Sequence, residues 1–171
     1  PLAHPENTQT QRRRNLTTLT ATNVTSLMRN LEATLDLKGD VIGLTETKLG
    51  EVTQRPLKKK LKKRGCTAHW GAPCDLLQRR DTKTLSIFNA RHGGVGILTR
   101  NGREARLAPR RTARQNWFYD TKRWLRLIYI IGDSKSTINI FVIYGHPNAA
   151  QKDQARQENE QLLTIALEEM I

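Results

Sequence analysis

Apolar residues along this chain fall into short runs with sharp ends. "LTTLTATNV", beginning at Leu16, is threonine-rich and β-prone, and predicts a strand that delivers Asn23 at its end. "SLMRNLEATLDL" then sets Leu27, Leu31 and Leu35 at helical spacing, with Met28 beside them, Ser26 as N-cap and Gly39 as the stop. Val41-Ile42-Gly43-Leu44 shows neither helical spacing nor polar alternation, the pattern of a strand buried on both faces. These segments predict a strand–helix–strand unit with a parallel, right-handed crossover. Asn23 and Glu46 then fall past the ends of neighbouring strands.

Further along, Val52 to Arg64 reads as a basic helix around Leu57 and Leu61, followed by a loop or short strand from Cys66 to Trp70. "HGGVGILTR" predicts a strand entered through a tight glycine turn. "WLRLIYII" and "STINIFVIY", separated by Gly132-Asp133-Ser134-Lys135, predict an antiparallel hairpin. After Pro147 comes a helix with polar first turns and an apolar end at Leu162, Leu163, Ile165, Ala166 and Leu167.

Composition limits what this α/β pattern can serve. The 171 residues suit one domain, and 37% hydrophobic with 5% aromatic residues and a mean hydropathy of -0.62 predict a modest core under a polar surface. No stretch approaches the roughly 20 apolar residues needed to cross a bilayer, and "PLAHPENTQTQRRRN" lacks the apolar core of a secretory signal. The expected setting is therefore intracellular and reducing, the nucleus before the cytoplasm. Residues 1–14 are expected to be a disordered or truncated lead-in, since Pro1 stands where an initiator methionine would. The Asn15 and Asn23 sequons carry little weight without an export signal.

Charge narrows the partner. Twenty-nine Lys and Arg against 16 Asp and Glu give a net charge of +13, which points to a polyanion. "QRRRN", "RPLKKKLKKRG", "LQRRD" and "APRRTAR" spread the cations over many segments, which suits an extended phosphate backbone better than a membrane-lying helix. Lys58, Lys59, Lys60, Lys62, Lys63 and Arg64 are candidate nucleic-acid contacts. A solvated helix face, or a nuclear-localisation patch, is the alternative. No phosphate-binding Gly-Lys-Ser/Thr loop and no Gly-x-Ser-x-Gly elbow occurs, so nothing supports nucleotide-triphosphate hydrolysis or triad-type acyl transfer. Cys66, His69 and Cys74 offer only three zinc ligands in no paired-knuckle pattern.

Glu46 is the residue that connects fold to chemistry. In α/β sheets the loops at the carboxyl ends of strands converge on the ligand crevice, so an acid there is a candidate metal ligand or acid/base group. A solvated loop glutamate is the plain alternative.

In order, "ATNVTSL", "DVIGLTETKL", "GGVGILTR" and "INIFVIYGHPNA" resemble the motifs of the endonuclease/exonuclease/phosphatase superfamily. The chain looks most like its exonuclease III and apurinic endonuclease branch, particularly the endonucleases of non-LTR retrotransposons. The similarity runs from Leu16 to Ile171. It implies the N-terminal half of a four-layered α/β/β/α sandwich, with a mixed sheet and flanking helices, residues 15–171 forming a partial domain whose second half is absent. One sheet face is then expected to lie open as an apolar patch.

The resemblance further implies metal-dependent phosphodiester hydrolysis of DNA. Glu46 would bind Mg²⁺ or Mn²⁺, and Asn23 would hydrogen-bond around the metal and the scissile phosphate. Tyr144 stands where the family carries a Tyr or His near that phosphate, and Asn148 matches the asparagine of a Tyr-x-Pro-Asn pattern. Here the chain reads Tyr-Gly-His-Pro-Asn, one residue longer, so either Tyr144 or His146 faces the phosphate. Lys48, beside Glu46 in "TETK", joins the candidate nucleic-acid contacts with His146. The family's Asp-x-Asn pair, late Asp and catalytic His are not found, so the chain alone is expected not to cleave DNA measurably. DNA or another nucleic acid is the implied partner, with a reverse transcriptase in the same longer polyprotein as a further candidate. A non-catalytic nucleic-acid-binding remnant of a mobile element is one alternative; a phosphoinositide or sphingolipid phosphoesterase is the other.

Overall fold

A computed structural model of the chain describes residues 17–81, 83–84, 87–100, 104–131 and 136–169. Its first sheet has four strands in the order β1-β2-β6-β3. Strand β1 (Leu19–Asn23) runs parallel to β2 (Val41–Thr45), with Asn23 opposite Thr45. Strand β6 (Val95–Arg100) lies antiparallel to both β2 and β3 (Cys66–Trp70). The mixed sheet and the parallel first pair are those expected from the sequence.

A second sheet, ordered β7-β8-β9, is built from β7 (Ala105–Leu107), β8 (Trp124–Ile131) and β9 (Ser136–Ile143). Strands β8 and β9 form the predicted antiparallel hairpin, Trp124 opposite Ile143. Its turn, residues 132–135, lies outside the described residues, as do the lead-in 1–14 and the Asn15 sequon. A separate pair, β4 (Leu77–Arg80) with β5 (Ile87–Ala90), was not foreseen.

The two sheets pack face to face, because β8 alternates: Leu125, Leu127 and Tyr129 point at Val41, Val95 and Ile97 of the first sheet. Each fully buried leucine there contributes roughly 2 kcal/mol. The outer face of the first sheet is covered by α1 (Leu31–Asp36) and α2 (Glu51–Lys63), whose Leu31, Leu57 and Leu61 meet Ile42, Leu44 and Leu98. The outer face of the second is covered by α3 (Ala113–Asp120) and α4 (Asp153–Glu168), through Phe118, Leu162 and Ile165 against Trp124. The described residues thus form four layers, α/β/β/α. The expected open sheet face is corrected: the hairpin supplies a second sheet that closes it.

Two further expectations change. Ser26 is not a helix N-cap: the helix begins only at Leu31, after Asn30. Thr25 and Ser26 have φ of 40° and 91°, and Ser26 N–H donates to Glu46 O, so this stretch is spent on crossing to the neighbouring loop instead of turning a helix. In α4, Leu163 and Leu167 face outward while Leu162, Ile165 and Ala166 are buried. An unforeseen helix, α3, is nucleated by a capping box: Thr112 Oγ1 accepts from Gln115 N–H while Gln115 Oε1 accepts from Thr112 N–H. Among the described residues no helix is long and apolar enough to cross a membrane.

Candidate active site

The loop after β2 is held in a shape its residues do not choose unaided. Glu46 and Lys48 have φ of 55° and 54°, in the left-handed region that costs a non-glycine residue on the order of 1 kcal/mol or more. Four backbone bonds fix that shape from two sides. Ser26 N–H donates to Glu46 O at 2.8 Å and Leu27 N–H to Thr47 O at 3.1 Å. On the other side Thr47 N–H donates to Gly94 O at 3.1 Å and Lys48 N–H to Gly93 O at 3.0 Å. Only glycine allows so close an approach: a Cβ at Gly94, whose φ is +89°, would lie 2.5 Å from Thr47 Oγ1 and 3.2 Å from Lys48 N. The "HGGVG" turn therefore serves as the wall against which "TETK" is moulded.

That moulding places the Glu46 side chain in a cleft of about 290 Å³ at the end of the sandwich, lined also by His92, Arg123, Tyr144, His146, Asn148 and Lys152. The Tyr144 hydroxyl donates to Glu46 Oε1 across 98 residues of chain. Burial, then the Glu46 carboxylate, pushes the Tyr144 phenol up to about 12, so it remains a neutral donor at physiological pH. Lys48 Nζ stands 4.0 Å from Glu46 Oε2.

Arg123 immediately precedes β8 and Tyr144 immediately follows β9, and the two fix each other. Tyr144 N–H donates to Arg123 O at 2.8 Å, while the guanidinium donates to Tyr144 O at 3.2 Å and Gly145 O at 2.9 Å. Its Cζ lies 5.0 Å from the Tyr144 ring centroid. Burial lowers the Arg123 pKa, yet arginine stays charged at any biological pH. His146 is steered from α4: its Nε2 meets Glu158 Oε2, and its backbone N–H donates to Asn159 Oδ1 at 2.7 Å. One carboxylate thus sits among Arg123, Lys48 and Lys152, an arrangement that attracts an anion such as phosphate.

The donor set also bears on a metal. Among the described residues no three His, Cys, Asp or Glu side chains cluster as a cage. Glu46 is the one carboxylate lining this cleft, and one of its oxygens is engaged by Tyr144. Mg²⁺ commonly takes one or two carboxylates and completes its shell with water and substrate phosphate oxygens. The residues therefore fit an ion that arrives with phosphate, and do not fit one held tightly without it.

The candidates named from sequence divide into two groups. Glu46, Tyr144, His146 and Asn148 line one cleft, with Lys48 at its edge. Asn148 also uses its carbonyl to accept from Gln151 and Lys152 N–H, in the turn leading to α4. Asn23 ends β1 beside Thr45, but its Oδ1 accepts from Thr25 N–H at 3.0 Å, an Asx turn, and it lines a separate depression with Asn30 and Thr34. Lys58, Lys59, Lys60, Lys62, Lys63 and Arg64 are exposed on α2, which leads away from the cleft toward the opposite end of the sheet, and Arg64 pairs with Glu32 at 2.7 Å. Cys66 and Cys74 are both free and buried, and lie at opposite ends of β3: Cys66 is opposite Arg100, whereas Cys74 N–H donates to Leu49 O.

Arg123, His92, Lys152, Glu158 and Asn159 were not anticipated. A signal existed for Arg123 alone: in a hairpin pairing Trp124 with Ile143, the preceding residue must stand opposite Tyr144.

No family model and no curated relative matches the chain. Solved structures are similar to it, among them two from Neisseria. One is the 3'-5' exonuclease (NExo) from Neisseria meningitidis, at 15% identity and a TM-score of 0.49 over 87% of this chain and 52% of that one. The other is the 3' phosphatase NExo from Neisseria bound to a product DNA hairpin, also at 15% identity and a TM-score of 0.49, over 89% of this chain and 53% of that one. The chain spans about half the length of the solved structures it matches.

Proposed function

We propose that this chain carries one side of an endonuclease-type site for hydrolysing phosphodiester bonds of nucleic acid, with Glu46 as its metal-binding carboxylate. The observation behind this is the Tyr144–Glu46 hydrogen bond, made at the head of two sheets by residues from distant motifs and framed by Arg123. Tyr144 orients Glu46 and leaves its second oxygen toward the cleft. Arg123 and Lys152 would draw in the phosphate, and Glu158 would hold the His146 ring at the edge of the cleft. A bound Mg²⁺ or Mn²⁺ would supply Lewis-acid stabilisation of charge on the phosphoryl oxygens.

The test is nicking of supercoiled and abasic DNA, with and without Mg²⁺, by this chain and by any longer open reading frame that contains it. The chain alone is expected to bind DNA without measurable cleavage. A longer, active protein should lose about 10²–10³-fold in rate on Glu46→Ala, the scale of removing one positioned electrostatic group. Wild-type nicking by that variant refutes the role given to Glu46.

A second reading is nucleic-acid binding without hydrolysis. It is favoured by Asn23, whose carbonyl oxygen is occupied by a local turn outside the Glu46 cleft. A longer protein that binds DNA with a steep salt dependence but never nicks it supports this second reading.

A further inference from the structure

A second cleft of about 650 Å³, lined from β3 by His69 and Trp70 and from β7 by Leu107, opens against the first turns of α2. None of its lining residues belongs to the Glu46 cleft. Its inner wall is His69 and Trp70, and both are buried. Its rims are Val52, 88% exposed, and Leu107, 41% exposed. Arg55 and Lys58 line the same cleft from consecutive positions on one face of α2 and reach solvent.

His69 is the informative residue. Only 7% of it is exposed, and its Nε2 has no hydrogen-bond partner in the protein. A buried polar nitrogen left so has given up hydration for nothing, which is uncommon enough to require a reason. Burial also drives its pKa down to about 4, with Lys58 adding to the effect, so the imidazole is neutral and offers a directed hydrogen bond instead of a charge. Trp70 cannot supply that bond, since its Nε1–H donates to Gln54 O at 3.2 Å.

Beyond the Leu107 rim the cationic surface continues. Leu107 also borders a depression of about 690 Å³ that contains Arg106, Arg111 and Arg126. Arg126 is committed to Glu169, whereas Arg106 and Arg111 are exposed.

We propose that this edge binds a single strand of nucleic acid, seating one base in the His69 cleft and laying the flanking phosphates on Arg55 and Lys58 to one side and Arg106 and Arg111 to the other. The apolar rims suit the faces of a base, and the neutral His69 nitrogen suits its hydrogen-bonding edge. A base inside a duplex keeps both faces stacked and cannot enter, so the ligand is single-stranded. Cations on both sides of the cleft match a strand that passes through, where a free nucleotide would use one side only. Glu51, at the first turn of α2, disfavours phosphate at its own position but can accept from an exocyclic amine. Bases carrying an amino group are therefore preferred.

The experiment is fluorescence anisotropy of the whole chain with labelled (dA)8 and (dT)8, with AMP as competitor. Expected is tighter binding of (dA)8 than of (dT)8, weakened at least fivefold by Arg55→Ala with Lys58→Ala, and likewise by Val52→Glu. Both variants alter exposed positions, so the fold is retained. Glu51→Ala, at an exposed position, should level the preference between the two oligonucleotides, and His69→Phe should weaken both. Val52, Arg55 and Lys58 all lie outside the Glu46 cleft, which separates failure here from failure of the hydrolytic site. Unchanged affinity in the Arg55/Lys58 and Val52 variants overturns the site. AMP competing as well as (dA)8 per nucleotide overturns the strand in favour of a free-nucleotide pocket.

Discussion

Helix α2 joins the two ends of the first sheet, and those ends are built differently. At its start, Glu46 and Lys48 are forced into the left-handed region, and the loop is pinned from two sides by Ser26, Leu27, Gly93 and Gly94. At its finish, Lys62, Lys63 and Arg64 stand in solvent, and Gly65, also left-handed at φ +75°, has nothing within 4 Å of where a Cβ would be. The first end carries one carboxylate and the second a run of cations. Yet only the first end is over-determined: several elements agree on one strained geometry and deliver a side chain to a cleft. Charge density alone marks a surface that polyanions visit. Local strain held by redundant bonds marks where a side chain is kept in position.

The strongest way to break this contrast is to put the same methyl group at both ends. Gly94→Ala must displace both Thr47 Oγ1 and Cys74 Sγ, crowds the Lys48 backbone, and adds the cost of a positive φ. We expect a stability loss of about 3 kcal/mol by urea unfolding. Gly65→Ala adds only the conformational cost, about 1 kcal/mol, because its surroundings are open. Equal losses at the two positions would show that the site end is no more tightly determined than the far end.

Much of this was legible in sequence, for reasons that can be named. The β1–β2 unit, the basic helix and the β8–β9 hairpin all follow from period and turn chemistry, because their apolar residues face well-defined layers. Glu46 stands out in the sequence because it directly follows an apolar strand, and Tyr144 through the resemblance carried by "INIFVIYGHPNA"; the structure lines one cleft with both. What was not legible depended on long-range partners. The short α1 was overestimated because Leu27, buried in the core, sits at helical spacing from Leu31 while its backbone N–H donates to Thr47 O. The second sheet was missed as a layer because alternation in "WLRLIYII" says that two faces differ, not what covers each. Lys152, Glu158 and Asn159 lie on or near a polar helical turn, where nothing local separates a residue aimed at a cleft from one aimed at water.

A finer test keeps the fold and removes one atom. Tyr144→Phe deletes the hydroxyl that donates to Glu46 Oε1 and leaves the ring against Arg123. If the bond holds Glu46 in place, a longer active protein should lose about tenfold in rate, the scale of one neutral hydrogen bond near 1.4 kcal/mol. Its titration gives a readout independent of activity. The phenol is raised to about 12 from an ordinary 10, so the stability it contributes is present below pH 10 and is lost as pH rises from 10 through 12. Phenolate absorbance at high pH should therefore include a late component that Tyr144→Phe removes. An unchanged titration curve would mean that Tyr144 is not the late-ionising group.

The smallest expected effect lies at the far end of α2. Lys59 and Lys63, one turn apart and exposed, face away from the His69 cleft that Lys58 lines. If they are solvated cations, replacing both with Gln should lower the slope of log affinity against log salt for duplex DNA by well under one. Two true phosphate contacts would lower it by about 1.8, since each contributes roughly 0.9. Lys152→Gln, inside the Glu46 cleft, should account for close to a full contact by itself. The comparison between the ends breaks if the exposed pair gives the larger change: the DNA would then be held mainly where the backbone is free, and the moulded loop would position chemistry without contributing to affinity.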